Sequence, residues 1–96
     1  MGNKSALSSL ALDLKRIAIA YHRGSVTMGN RFTQETTRWI NEIDTTQIPT
    51  YISRLLKNID TTLKNSDKQF VAENSLMYST LLQNYFQQRY RRKKDN

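Results

Sequence analysis

Large apolar residues recur at alternating steps of three and four along almost the whole chain, and that spacing confines it to α-helix. Leu7, Leu10, Leu14, Ile17 and Tyr21 form the first stripe, on a helix expected over residues 5–22. Gly24 and Ser25 interrupt it, and Ser25 is a candidate N-cap because its hydroxyl can accept from the free amides of the next turn. The second stripe is Met28, Phe32, Trp39 and Ile43, with Glu35 at the intermediate position and Gly29 weakening the opening turn. After the polar break at 44–47, Pro49 suits the first turn of a third helix, over residues 48–64. Ile52, Leu55, Leu56, Ile59 and Leu63 share one face of it.

Ser66-Asp67-Lys68-Gln69 reads as a capping box, Ser66 bonding forward to the Gln69 amide and the Gln69 side chain reaching back. Phe70, Asn74, Met77, Leu81 and Tyr85 follow as the core stripe of a fourth helix, broadened by Val71, Tyr78 and Leu82. Uninterrupted by Gly or Pro, this helix runs some 26 residues, about 39 Å, against roughly 25 Å for the others, so its last turns project beyond the rest. Strict alternation never persists long enough for a strand. The expectation is an all-α, compact antiparallel bundle of about four helices with a longer, basic C-terminal helix. Residues 1–88 form the bundle domain and 89–96 a basic tail.

Little here supports catalysis. The chain has no cysteine, which removes disulfides and thiolate metal sites, and His22, the one histidine, sits beside Arg23 at a helix end. Asp13, Glu35, Glu42, Asp44, Asp60, Asp67 and Glu73 are scattered, mostly at capping or solvent positions, and Gly2, Gly24 and Gly29 are too dispersed for a phosphate loop. The chain is therefore expected to be no enzyme and to hold no cofactor, metal or small-molecule substrate. The uncharged run at 5–12 is far shorter than the ~20 residues of a membrane span. Met1-Gly2-Asn3-Lys4-Ser5-Ala6 has alanine where a myristoylation start needs Ser or Thr, and the Asn3-Lys4-Ser5 sequon follows no secretory leader, so a cytoplasmic address is expected.

Charge is the most informative property. Fifteen Lys or Arg oppose eight Asp or Glu, a net of +7, and residues 89–96 alone hold five cations, among them Arg89, Arg91, Arg92 and Lys93. Arg16 and Arg23, Arg31 and Arg38, and Lys57 and Lys64 are each seven apart, so each pair leaves its helix in one direction, and Arg54 joins the Lys57 face. Lys15 lies beside the first pair. Thr, Gln and Asn between these cations are suitable phosphate and sugar contacts, and the ridges with the tail are the candidate nucleic-acid surface. Regular solvation of outward helix faces produces the same pattern. Leu12 and Ile19, also seven apart, emerge away from the first stripe, so that helix is either central in the bundle or docked to a protein. They are the candidate protein interface.

Phe32, Trp39, Phe70 and Tyr85 fall on core stripes, leaving Tyr90 in the tail as the aromatic available for base stacking. No helix-turn-helix, zinc-finger or RNP signature is present, so sequence-specific base reading is not expected. In size, helicity and charge the whole chain resembles the small helical subunits of RNA-guided CRISPR effector complexes, basic bundles that line a nucleic-acid channel. That resemblance rests on no motif and transfers no functional residue. It implies a non-catalytic subunit with nucleic acid and neighbouring protein subunits as partners. The alternative is a protein-interaction or regulatory module, self-associating or docking a partner helix, whose charge serves solubility. Attachment to an anionic membrane through the tail is not expected without an adjoining lipid-facing apolar surface.

Overall fold

The computed structural model describes residues 3–91, and these form the expected all-α bundle: α1 (Asn3–His22), α2 (Val26–Glu42), α3 (Thr50–Leu63) and α4 (Lys68–Arg91), with a 3₁₀ turn (Thr45–Gln47) between α2 and α3. No strand occurs among the described residues. α1 occupies the centre of a layer, packed along its length against α2 on one flank and α4 on the other. Both neighbours run antiparallel to it. Asp13 meets Trp39 while Tyr21 meets Asn30, and Ala11 meets Ser79 while Tyr21 meets Lys68. α3 packs on α4 and, more lightly, on α2. Its Ile52, Leu56, Ile59 and Leu63 share a single core with Leu7, Leu10, Leu14, Ile17 and Tyr21 of α1.

Small residues set how closely these helices approach. The α1–α4 seam is built from Ala11 and Ala18 on one side and Ala72, Ser75 and Ser79 on the other, all buried. Within it the Ser79 hydroxyl donates to the Ala11 carbonyl at 2.7 Å. This seam overturns the expected core stripe of α4. Val71, Ala72, Ser75, Ser79 and Leu82 face inward, whereas Phe70, Met77 and Leu81 are 43%, 46% and 44% exposed. The larger side chains would hold α4 away from α1, so the helix turns its narrow face in. Tyr85 keeps its expected place against the core, half-buried. On the α2 side the same economy of volume applies at Gly29, which lies directly under the Tyr21 ring. Gly29 is there for proximity, and Met28, expected in the core, is left 42% exposed.

The helix ends follow local chemistry. α1 closes on Gly24, whose φ of +80° is open to glycine, with Ser25 N–H donating to the Ala20 carbonyl and Gly24 N–H to the Tyr21 carbonyl. Ser25 occupies the N-cap of α2 without a side-chain cap bond. Pro49 is the N-cap of α3, one residue earlier than a first-turn proline, and Ile48 before it is extended as proline requires. Asp67 replaces Ser66 as the cap of α4, its Oδ1 accepting from the Gln69 and Phe70 amides at 3.1 and 3.3 Å. Asp44 caps the 3₁₀ turn, accepting from the Thr46 hydroxyl at 2.6 Å and the Thr46 amide at 3.0 Å, and these bonds hold its carboxyl below the ordinary range.

Candidate nucleic-acid interface

The predicted cations divide between two faces that point away from each other. α1 and α3 bury their stripes in the same core, so what lies opposite each stripe faces opposite sides of the molecule. The α1 face carries Lys15, Arg16 and Arg23, joined from the flank of α2 by Arg31 and Arg38, and the α3 face carries Arg54, Lys57 and Lys64. All are exposed. A single electropositive wall built from every ridge, which the spacing alone allows, does not form.

On the α1 face, part of the charge is already matched. Arg16 donates to Asp13 at 3.1 Å and lies over the Phe32 ring at 5.8 Å; Arg38 donates to Glu35 at 2.7 Å and lies over Trp39 at 5.5 Å. Lys15, Arg23 and Arg31 have no carboxylate within ion-pair distance among the described residues. Leu12 and Ile19 emerge among these cations, 46% and 44% exposed, so α1 is both central in its layer and apolar on its open side. Two grooves flank it. One, about 320 Å³ between α1 and α2, is lined by Leu12, Asp13, Arg16, Met28, Arg31 and Phe32, among others. The other, about 550 Å³ between α1 and α4, is lined by Ile19, His22, Arg23, Glu73 and Leu76 over a floor of Ala18 and Ala72.

Asp13, expected at a capping or solvent position, is instead 6% exposed. Its Oδ2 accepts from the Trp39 indole N–H at 3.0 Å while Oδ1 holds Arg16, so both oxygens are engaged and the carboxylate locks α1 to α2. The sequence carries one clue to this pair: an indole N–H on a core stripe needs an acceptor, and Asp13 borders the α1 stripe.

The α3 face differs in kind. Arg54 and Lys57 have no carboxylate partner among the described residues, and Lys64 reaches Asp60 at 3.2 Å in an exposed pair that water and salt weaken. Asn58 and Thr61 stand between them, and no aliphatic side chain interrupts the ridge. Tyr51 stands at its start with 63% exposure, the most of any large apolar residue described. Its ring meets Tyr85 edge-on, centroids 6.1 Å apart and planes at 85°. That meeting brings the start of the α3 ridge to the last turns of α4, whose helical backbone continues through Arg89 and Arg91. The side chains of Arg89, Tyr90 and Arg91, together with Arg92 and Lys93, lie outside the described residues. Tyr51 is a candidate that the spacing does not single out; its clue is an aromatic one position off the α3 stripe and three before Arg54.

Among the described residues no three His, Cys, Asp or Glu side chains stand together as a metal site, and no helix is long and apolar enough to cross a membrane. No protein family, curated protein or solved structure matches the chain.

Proposed function

We propose that this protein is a non-catalytic, basic helical subunit that holds nucleic-acid backbone without sequence specificity, in the cytoplasm, within a larger ribonucleoprotein of the kind the CRISPR effector complexes represent. The observation that carries this reading is the Tyr51–Tyr85 pair, which brings the start of the uninterrupted polar ridge of Arg54, Lys57, Asn58, Thr61 and Lys64 to the last turns of α4, where the sequence turns basic. Cations interleaved with amide and hydroxyl donors fit phosphate and sugar oxygens, and an exposed tyrosine at the junction offers a ring for an unstacked base. The opposite face, with Leu12 and Ile19 among cations, is left for a neighbouring protein subunit.

Fluorescence anisotropy with labelled single-stranded and duplex oligonucleotides tests this. Binding weakens steeply with salt, and replacing Arg54 and Lys57 together by alanine reduces the salt slope by about two, one unit for each phosphate no longer neutralised. Absence of binding at ~50 mM salt, where phosphate pairing is strong, ends the proposal. A second reading, a protein-interaction module, is favoured by the exposed Leu12 and Ile19; there the partner is retained as salt rises and the Arg54/Lys57 substitutions change nothing.

A further inference from the structure

α4 carries a second apolar stripe that none of the described residues covers. Phe70, Asn74, Met77, Leu81, Asn84 and Gln88 succeed one another at steps of four, three, four, three and four, the seam spacing of a helix that pairs with another helix. Phe70, Met77 and Leu81 are each more than two-fifths exposed on this seam. The seam is also almost free of charge. Between Lys68 and Arg89 the only charged residue is Glu73, in a chain that is 24% charged. A nucleic acid finds no cation there, and a foreign protein finds no charge pattern by which to be selected.

We propose that this face of α4 pairs antiparallel with the same face of a second copy of the chain. The order of residues along the seam supports the choice of partner, because it is self-complementary. In the register that sets Met77 against the partner's Leu81, Asn74 meets the partner's Asn84 and Phe70 meets the partner's Gln88. At the centre Met77 and Leu81 then face each other across the pair, two amide pairs, able to donate and accept reciprocally, fix the register, and at each end the Phe70 ring lies along the methylenes of the partner's Gln88. Antiparallel pairing also keeps the basic ends apart. The overlap of some 20 residues separates them by about 30 Å, several screening lengths at physiological salt, whereas a parallel pair would place them side by side. With a few half-exposed apolar residues from each copy, the interface falls below the size of stable dimers and belongs to the weak, concentration-dependent class.

Sedimentation equilibrium of the full chain from about 1 µM to about 1 mM, the span over which weak complexes form, provides the first test. The mass rises from that of one chain towards that of two. The rise grows with added salt, which screens the repulsion between two copies of net charge +7. Replacing Met77 and Leu81 together by lysine abolishes the rise with helicity unchanged by circular dichroism, while Leu12→Lys with Ile19→Lys leaves it intact. Because the chain has no cysteine, register is read directly. Asn74→Cys mixed with Asn84→Cys gives a mixed disulfide on mild oxidation. Asn74→Cys alone does not, since its two copies would stand ten residues apart, about 15 Å, beyond disulfide reach. A chain that stays monomeric across the range, a dimer lost through Leu12 and Ile19 instead, or Asn74→Cys linking to itself as readily as to Asn84→Cys overturns the proposal.

Discussion

Gly29→Ala puts a methyl group where the Tyr21 ring now lies, with Cζ at 2.5 Å from the new carbon and Cδ1 and Cε1 closer still. In an open helix this substitution stabilises, because alanine exceeds glycine in helix propensity by about 1 kcal/mol. Here the ring has little room to yield. Tyr21 is 8% exposed, its hydroxyl donates to Asn30 Oδ1 at 2.6 Å, and the Lys68 ammonium lies over its face at 5.2 Å. Overpacking of this kind costs about 1–3 kcal/mol, and losing the Asn30 hydrogen bond adds about 1 kcal/mol. Set against the propensity gain, the net loss is about 2 kcal/mol, which in a domain of this size lowers the melting temperature by roughly 10 °C. Thermal and urea denaturation followed by circular dichroism reads the change. The decisive comparison is the same substitution in a Tyr21→Leu background, where the ring is gone and Gly29→Ala becomes neutral or stabilising. Equal effects in both backgrounds, or stabilisation in the wild-type chain, refute the close-approach account of Gly29.

Two serines on the α1–α4 seam have opposite sensitivities. Ser75 Oγ is buried with no hydrogen-bond partner among the described residues, so Ser75→Ala raises stability by about 1 kcal/mol, whereas Ser79→Ala loses the bond to the Ala11 carbonyl and lowers it by about the same amount. Denaturation midpoints that move in the same direction for both would contradict this assignment. Asp13→Ala leaves the Trp39 indole N–H and the Arg16 guanidinium without their acceptor, costing about 2 kcal/mol. Emission from Trp39, the only tryptophan, reports the loosening, and an unchanged spectrum and midpoint would remove the lock between α1 and α2. For Asp44, the folded-state value lies below the ordinary 3.8, so the capped turn is intact above that pH and its contribution disappears as pH falls through the lowered value. An NMR titration of the Asp44 carboxyl with a midpoint at or above 3.8 would contradict the Thr46 cap.

α1 and α3 are legible because their buried stripes use large side chains at unambiguous spacing, Leu7 to Tyr21 and Ile52 to Leu63; on α2 the expected stripe is offset, since Met28 is exposed, Phe32 and Trp39 are half-buried, and the small Gly29 and Thr36 face inward with Ile43. α4 is different. Two stripes with helical spacing coexist on it, and the one that reads as more apolar, Phe70–Met77–Leu81, faces outward. What decides between them is on another helix: Ala11 and Ala18 admit only a narrow partner, and no local pattern in α4 reports that. The candidate interface divides in the same way. The cation pairs follow from seven-residue spacing, but whether two ridges share a face depends on how α1 and α3 oppose each other across the core, a property of topology. Asp13 and Tyr51 escape for the same reason, since their meaning comes from Trp39 and Tyr85, residues distant in sequence.

The central place of α1 has a consequence for biosynthesis. Of the four helices, the one made earliest is the one that touches both flanks of the layer, and the Ser79–Ala11 bond joins positions 68 residues apart. The α1–α2 hairpin is local and can close early, but the alanine-lined side of α1 stays bare until the last helix has been translated. A nascent chain arrested before α4 therefore displays an unsealed apolar strip along α1, where Ala11 and Ala18 await their cover.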